Sequence, residues 1–280
     1  MMDDFSVFEF SFEDFPPRPV YTRGTGPAVV LMHELPGMIP ECVDLARRIA
    51  EAGFTVYLPL LFGQPNQPFS IPKMLGFTAQ LCISHEFYCF AKHRSSPITL
   101  WLKALCRKAK ADCGGAGVGV IGMCLTGGFA LALMADDSVI ASVASQPSLP
   151  FGITAQQRAA LGISPEDLAA AQARADQGVP LLALRFSDDN IAPPEKFQTL
   201  RTAFGDTPNT IEASEDLCWK RGQALETIEI NSAPGNPRNL PQSSHAVLSL
   251  GYEPDPDHPT NRVFQRVVEF LRQHTPSEAS

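Results

Sequence analysis

Short, wholly apolar segments alternate with amphipathic segments along most of this 280-residue chain. Apolar runs of about four to eight residues are typical of strands buried on both faces, and the longer amphipathic stretches have helical spacing. The predicted strands cover residues 28–32, 54–58, 118–121, 139–143, 180–186 and 226–230, the last of which alternates like an edge strand. The predicted helices cover about residues 43–50, 98–110, 125–135, 164 onward, 194–204 and 260–274. This alternation predicts an α/β fold with a mostly parallel sheet and helices on both faces.

Three segments do not follow the alternation. Residues 64–97 are rich in Pro, Phe and Cys with no clear period, and residues 205–223 and 233–244 are polar and rich in turn-forming residues. In a sheet of this type, such segments form loops or partial lids at the strand ends, where ligands bind. We therefore expect a single domain over residues 1–280, with lid-like or loop insertions at about 64–97 and 205–244.

The charge balance limits the possible partners. The chain carries 22 Lys and Arg against 30 Asp and Glu, a formal net charge of −8, so it has no basic surplus for a nucleic-acid backbone. Asp3 and Asp4 stand where a secretory signal has basic residues, and no apolar run reaches the roughly 18 residues of a membrane span. We therefore expect a soluble cytoplasmic protein with no nucleic-acid or membrane partner, present as a monomer or small homo-oligomer.

The seven cysteines do not form a recognisable framework. Their number is odd, and no two are spaced as a CxxC pair. They lie at positions 42, 82, 89, 106, 113, 124 and 218. This pattern argues against a disulfide scaffold and a structural zinc site, and it predicts that most of these residues belong to the core. A reduced cysteine in a special backbone setting could still act as a nucleophile.

One of these cysteines has such a setting. The strand at 118–121 runs through Gly122 and Met123 to Cys124, and a helix follows directly. This order is typical of a nucleophile elbow, a strained strand-to-helix turn that exposes the side chain, and a helix N-terminus favours the thiolate form of a cysteine. The glycines at 117, 119 and 122 also match the string GxGxxG. Here, however, the strand contains the glycines instead of preceding them, so we do not predict a dinucleotide site.

A cysteine nucleophile in this type of fold needs an acid and a histidine later in the chain, in that order. Asp188 and Asp189 follow the strand at 180–186, and a turn aspartate is the structural alternative for either of them. His245 lies in the connection before the last helix, where a surface-loop histidine is the alternative. The residues alone therefore predict an acid at 188 or 189 and a base at His245, with His258 as its rival.

His33 and Glu34 follow the first predicted strand. They do not form a zinc motif, because no histidine lies four residues after His33 and Pro36 would break a helix. The carboxylate of Glu34 would lie at the same edge of the sheet as Cys124, where it could govern the proton on the thiol. A solvated loop acid is the alternative for Glu34.

With these residues in place, the chain resembles the dienelactone hydrolase family of α/β-hydrolases, which use cysteine where related enzymes use serine. The resemblance extends over about residues 29–271 and is carried by four segments. These are His33-Glu34-x-x-Gly37, Gly122-Met123-Cys124-Leu125, Asp189-Asn190-Ile191-Ala192-Pro193 and Ser244-His245-Ala246-Val247-Leu248. The resemblance implies an α/β-hydrolase fold with Cys124 as the nucleophile and His245 as the base. It further implies that Asp189 is the orienting acid and that Glu34 is the acid near the thiol.

The same resemblance places the oxyanion hole on the backbone amides of Leu35 and Leu125. The chain departs from the family at Thr126, which stands where the elbow usually has glycine and predicts a slightly reshaped turn. The arginines that hold the substrate carboxylate in the best-known members have no clear counterpart, and residues 246–249 after the histidine contain none.

The expected activity is hydrolysis of a small-molecule carboxylic ester or lactone through a Cys-His-Asp triad and a thioester intermediate, with no metal or organic cofactor. Two alternatives stay open. The chain could be a non-catalytic, ligand-binding member of the same fold. It could also be a thiol redox sensor that uses Cys124, although no resolving cysteine is evident nearby in the sequence. Turnover of an ester separates the first function from both alternatives.

Overall fold

Ten strands form one sheet among the residues that a computed structural model of the chain describes, which are 2–70, 96–148, 154–204 and 208–276. In chain order the strands are β1 (Ser6–Phe12), β2 (Phe15–Arg23), β3 (Ala28–Met32), β4 (Thr55–Pro59), β5 (Val118–Met123), β6 (Val139–Ser145), β7 (Leu181–Phe186), β8 (Thr210–Ala213), β9 (Leu217–Arg221) and β10 (Leu225–Ile230). Their order across the sheet is β1-β2-β4-β3-β5-β6-β7-β10-β9-β8.

The central strands β4, β3, β5, β6, β7 and β10 are parallel, and antiparallel strands flank them at both edges. Strands in a parallel sheet that is covered on both faces need apolar side chains on both faces, and β3, β5 and β7 are buried along their whole length. The prediction of a mostly parallel sheet in an α/β-hydrolase fold is confirmed.

Helices cover the two faces of this sheet. In the described ranges they are α1 (Pro40–Glu51), α2 (Pro97–Cys113), α3 (Leu125–Leu133), α4 (Ala155–Ala159), α5 (Pro165–Asp176), α6 (Pro194–Ala203) and α7 (Pro259–His274). Helices α1 and α7 pack their apolar residues on one face, and α2, α3, α5 and α6 pack theirs on the other. The prediction of helices on both faces is confirmed, whereas the short α4 has no predicted counterpart. None of the described helices is long and apolar enough to cross a bilayer.

The C-terminal part of the sheet differs from the prediction. The segment at 226–230 belongs to β10, an internal strand between β7 and β9, and is not an edge strand. Residues 205–223, expected to form a loop, contain β8 and β9, which extend the sheet beyond β10. These two short strands are partly or fully exposed, so they lack the apolar pattern that indicates a buried strand. Strand β9 pairs with β10 and β8 pairs with β9, and this pairing makes them strands.

The β1–β2 hairpin at the opposite edge also has no predicted counterpart. Strand β2 contains Pro16, Pro17 and Pro19, and proline usually indicates a loop or an edge strand. Of the predicted insertion at 64–97, residues 71–95 lie outside the described part of the chain. The organisation as one domain with insertions stays a prediction.

The parallel strands all end on the same side of the sheet, and the predicted site residues lie at these carboxyl ends. The register places Met32 of β3 beside Gly122 of β5, and Met123 of β5 beside Ser145 of β6. The segments that leave these strand ends therefore start next to one another.

Candidate active site

Cys124 lies at a sharp turn between β5 and α3. Its backbone has φ 54° and ψ −119°, a positive-φ conformation that is strained for a residue with a side chain. Gly122 makes room for the turn, because a Cβ at this position would collide with the carbonyl oxygen of Thr126. The amide of Cys124 donates a hydrogen bond of 3.0 Å to the carbonyl of Ser145 on β6. This backbone geometry is a strained strand-to-helix turn like that of a nucleophile elbow, and the role of Cys124 as a nucleophile stays a prediction.

Thr126 has a structural role at the elbow. Its side chain is fully buried, and its hydroxyl oxygen accepts a hydrogen bond of 2.8 Å from the amide of Met123. The hydroxyl donates to the carbonyl of Met32 at 3.0 Å, with the carbonyl of Met123 at 2.9 Å as the other acceptor within reach. Thr126 therefore links the ends of β3 and β5, which a glycine at this position could not do.

His245 and Asp189 form a short hydrogen bond. The Nδ1 of His245 lies 2.6 Å from Oδ2 of Asp189, whose side chain is buried. The other carboxylate oxygen of Asp189 accepts from two backbone amides of the following turn, at 2.9 and 3.2 Å. Asp188 is directed elsewhere, since its carboxylate accepts from the side-chain amide of Gln242 at 2.8 Å. Of the two candidate acids, Asp189 is the one that contacts the histidine.

The ring of His245 lies between Asp189 and Cys124. Its Nε2 is buried and has no hydrogen-bond partner by distance and angle among the described residues. Burial alone would lower the pKa of His245, but the neighbouring Cys124 and Asp189 together raise it well above its ordinary value. The direction of this pKa shift therefore reflects the two groups beside the ring and not its burial.

The two other histidines considered in the sequence analysis are structural. His258 is the N-cap residue of α7, and its Nδ1 lies 2.7 Å from the hydroxyl of Thr260. Both ring nitrogens of His33 are hydrogen-bonded, Nδ1 with the carbonyl of Glu34 at 3.2 Å and Nε2 with the amide of Leu61 at 3.0 Å. Burial lowers the pKa of His33 to about 4, so this ring is neutral and joins the ends of β3 and β4.

The Glu34 carboxylate is buried just beyond the end of β3 and is held by two side chains. Ser249 donates to Oε1, and the side-chain amide of Gln146 donates to Oε2 at 3.2 Å. Burial raises the pKa of Glu34, although these two hydrogen bonds and the nearby His245 act in the opposite direction. Within the described part of the chain, no hydrogen bond joins Glu34 to the sulfur of Cys124. Glu34 is therefore a buried acid and not a solvated loop residue, and its action on the thiol stays a prediction.

The amides predicted to form the oxyanion hole belong to two of these turns. Leu35 follows Glu34, and Leu125 is the first residue of α3, where backbone amides lack an acceptor within the helix. Neither amide donates a hydrogen bond to another described residue. Both donors are therefore unused by the described protein groups, and their role toward a substrate stays a prediction.

The described residues contain no group of three or more His, Cys, Asp or Glu side chains arranged as metal ligands. The five described cysteines are free thiols at 42, 106, 113, 124 and 218. Burial raises the pKa of Cys42 and Cys106, as expected for core residues.

A sequence model of the dienelactone hydrolase family matches residues 17–213, which is more than half of the chain. The chain belongs to the dienelactone hydrolase family. The match includes Glu34, Cys124 and Asp189 and ends before His245. As a member of this family, the chain is a carboxylic ester hydrolase.

Solved structures agree with the fold of the family. A protein from Klebsiella pneumoniae assigned as a dienelactone hydrolase is 19% identical, with a TM-score of 0.58 over 96% of this chain and 99% of that chain. A dienelactone hydrolase-like promiscuous phosphotriesterase from metagenomic libraries is 14% identical, with a TM-score of 0.60 and coverages of 97% and 99%. A cold-adapted esterase from an Arctic intertidal metagenomic library is 13% identical, with a TM-score of 0.56 and coverages of 98% and 95%. No curated protein sequence matches.

Three side chains at the site of this dienelactone hydrolase family member have no counterpart in the sequence prediction. They are Gln146, Ser148 and Ser249. Gln146 and Ser148 follow β6, the neighbour of β5, and polar residues just beyond a strand next to the nucleophile strand are a signal that could identify them. Ser249 contacts Glu34 across 215 positions of sequence, and no local pattern predicts such a contact.

Proposed function

We propose that this family member hydrolyses small carboxylic esters or lactones with Cys124 as the nucleophile, His245 as the base and Asp189 as the orienting acid. One observation mainly supports the proposal. His245 is held through Nδ1 by Asp189 at 2.6 Å, its Nε2 is buried without another described partner, and Cys124 is its neighbour. A base that is oriented by an acid and lies beside a nucleophile is the arrangement that acyl-transfer enzymes share.

In acylation, the Cys124 thiolate attacks the carbonyl carbon, and the amides of Leu35 and Leu125 stabilise the negative charge that develops on the oxygen. His245 gives its proton to the leaving alkoxide oxygen as the C–O bond breaks, and a thioester remains on Cys124. In deacylation, neutral His245 takes a proton from water, which adds to the thioester carbonyl. The C–S bond then breaks, which releases the acid and restores the thiolate and the imidazolium. Asp189 keeps the ring in one tautomer throughout.

Glu34 acts on this pair from the end of β3 in our proposal. A charged Glu34 and a charged His245 attract each other. An ionised Glu34 therefore favours the imidazolium and, with it, the thiolate of Cys124. The hydrogen bonds from Ser249 and Gln146 keep the carboxylate in this position.

A panel of aryl esters and unsaturated lactones tests the activity. The wild type should turn over at least one of them, and Cys124→Ala should lower kcat by about a thousandfold or more. Cys218→Ala, which changes a half-buried cysteine on β9, is the matched control and should keep the wild-type rate. Acid quenching during turnover should leave the acyl mass on the peptide that contains Cys124. Turnover that survives in Cys124→Ala would refute the nucleophile assignment, and ligand binding without turnover would favour the non-catalytic alternative.

The reactivity of the thiol provides a second prediction. A small haloacetamide should alkylate Cys124 first among the seven cysteines, because this thiol combines partial exposure with a helix N-terminus. Cys42 and Cys106 are fully buried and should react slowly. Peptide mass mapping after brief labelling gives the order of reaction. If Cys82 or Cys218 reacts first and activity survives, the elbow interpretation is wrong.

A further inference from the structure

Ser148 contacts the sulfur of the proposed nucleophile. It lies just beyond the end of β6, and its Oγ is 3.0 Å from the Sγ of Cys124. Its amide also donates a hydrogen bond of 3.0 Å to the carbonyl of Cys124. Main chain and side chain therefore both join these two residues, which are 24 positions apart in the sequence.

The segment that carries Ser148 is held against the elbow. Pro147 packs on the first turn of α3, where a Cβ at Gly127 would lie only 2.8 Å from the Cα of Pro147. The Ser148 side chain is buried, and in the described part of the chain its hydroxyl has no hydrogen-bond partner other than the sulfur. No other described acceptor competes for the hydroxyl proton.

Geometry and charge around the sulfur both favour Ser148 as the donor of this hydrogen bond. Although burial opposes it, Cys124 and Asp189 raise the pKa of His245, a direction that favours a charged imidazole beside the sulfur. The separation of 3.0 Å between Oγ and Sγ is short for a hydrogen bond to sulfur, as is typical of charge-assisted hydrogen bonds, and a thiolate could only accept from the Ser148 hydroxyl. Asp189 and Glu34 are the other titratable groups that act on His245, and neither is hydrogen-bonded to the sulfur.

We propose that Ser148 is a further functional residue of this site: its hydroxyl donates a hydrogen bond to the Cys124 sulfur in the resting enzyme and stabilises the thiolate before attack. The inference rests on the proposed function of Cys124 as the nucleophile, and it adds a donor from the end of β6 that the triad does not include. The sulfur of a thioester is uncharged and accepts only weakly. Ser148 therefore stabilises the resting thiolate more than the acyl-enzyme.

The test is the rate of Cys124 alkylation by a haloacetamide as a function of pH, which needs no ester substrate. Ser148→Ala should move the midpoint of this profile upward by about one to two pH units, because the thiolate loses a charge-assisted hydrogen bond. Above both midpoints the variant should react about threefold faster, since a more basic thiolate is a better nucleophile. Ser142→Ala is the matched control. It changes a buried serine on β6 that donates to the carbonyl of Ala130 at 3.0 Å, and the midpoint should stay in place.

Ser148→Thr and Ser148→Val complete the test and replace Ser148→Ala if that variant does not fold. The two side chains are nearly equal in size and differ in the hydroxyl, so the threonine variant should keep the wild-type midpoint and the valine variant should shift it. Circular dichroism and thermal melts verify the fold. An unchanged midpoint in a folded variant without the hydroxyl overturns the role of Ser148. A shift without ester turnover supports Ser148 and rejects the proposed hydrolysis of these esters through Cys124, whereas turnover through Cys124 without a shift does the reverse.

Discussion

Two Asp-Asp pairs lie at opposite ends of the parallel strands and differ in their hydrogen-bond partners. Asp188 and Asp189 follow β7 at the carboxyl ends of the strands, where Cys124 also lies, whereas Asp136 and Asp137 precede β6 at the amino ends. In each pair one carboxylate is buried and its neighbour is more exposed, with Asp189 at 3% and Asp136 at 5% exposure. The same Asp-Asp dipeptide therefore occurs in two settings, and the partners of the buried acid differ between them.

The difference lies in how completely the buried acid and its partners are hydrogen-bonded. Asp136 accepts two hydrogen bonds from Arg107, at 2.9 and 2.6 Å, and two from Ser138, at 3.0 and 2.6 Å. Asp189 holds His245, whose Nε2 has no described hydrogen-bond partner. The first arrangement is complete and stabilises the fold. The second leaves a buried ring nitrogen beside Cys124 without a described hydrogen-bond partner.

Glu34 and Asp136 are both buried acids, but their pKa values shift in opposite directions. The hydrogen bonds to Glu34 come from two neutral side chains, Ser249 and Gln146, and burial raises its pKa despite them. Burial acts on Asp136 in the same direction, but Ser138 and Arg107 outweigh it and lower the pKa of Asp136. The contributions of Glu34 and Asp136 to the stability of the fold should therefore change with pH in opposite directions.

The largest expected effect separates the two aspartates at the site. Asp189→Asn should lower kcat by roughly 10²–10⁴, because His245 loses the acid that fixes its tautomer. Asp188→Asn should stay within about tenfold of the wild type, because its carboxylate contacts Gln242 and not the histidine. The measurement is kcat for one activated ester on folded variants. The reverse ranking would assign the acid role to Asp188, and two mild effects would mean that neither residue orients His245.

An intermediate effect is expected at Glu34. Glu34→Gln should slow acylation by roughly ten- to a hundredfold while its melting temperature stays within a few degrees of the wild type. Because the folded pKa of Glu34 is raised, the wild type loses stability relative to the variant as pH rises above the unfolded value of about 4.3. Pre-steady-state acylation rates and melts at several pH values measure both effects. Unchanged acylation would make Glu34 a structural acid only.

The smallest effect on activity is expected at Asp136, at the amino ends of the strands. Asp136→Asn should leave kcat unchanged and lower the free energy of unfolding by about 1–2 kcal/mol, or the melting temperature by roughly 3–6 °C. The folded pKa of Asp136 is lowered, so its contribution is present above the unfolded value of about 3.9 and is lost as pH falls through the folded pKa. The stability gap between wild type and variant should therefore shrink in acid, opposite to the trend for Glu34→Gln.

Asp137→Asn is the matched control for Asp136→Asn, because the side chain of Asp137 is 97% exposed. Thermal melts should show no change in this variant. Loss of activity in a folded Asp136→Asn protein would contradict a purely structural role for Asp136, because it would show that this acid affects the site at the other end of the strands.

The central elements follow from local patterns in the sequence. The strand predicted at 28–32 is β3 (Ala28–Met32), and the helix predicted at 194–204 is α6 (Pro194–Ala203). The flanking strands β1, β2, β8 and β9 do not follow from such patterns. They are less buried than the central strands. Strand β2 joins the sheet by pairing with β4 and β9 by pairing with β10, and β1 and β8 then pair with β2 and β9.

The sequence by itself determined the order of strands and helices, the sharp turn at Cys124 and the placement of Cys124, Asp189 and His245 after successive strands. These properties depend on neighbours a few positions apart, because helical and strand periodicity and turn geometry are local. Only the tertiary structure decided that Asp189 meets His245, that Ser249 and Gln146 hold Glu34, and that Ser148 lies against the thiol. These contacts join residues 24 to 215 positions apart. Which of them form depends on the order and register of the strands, and local spacing does not specify either.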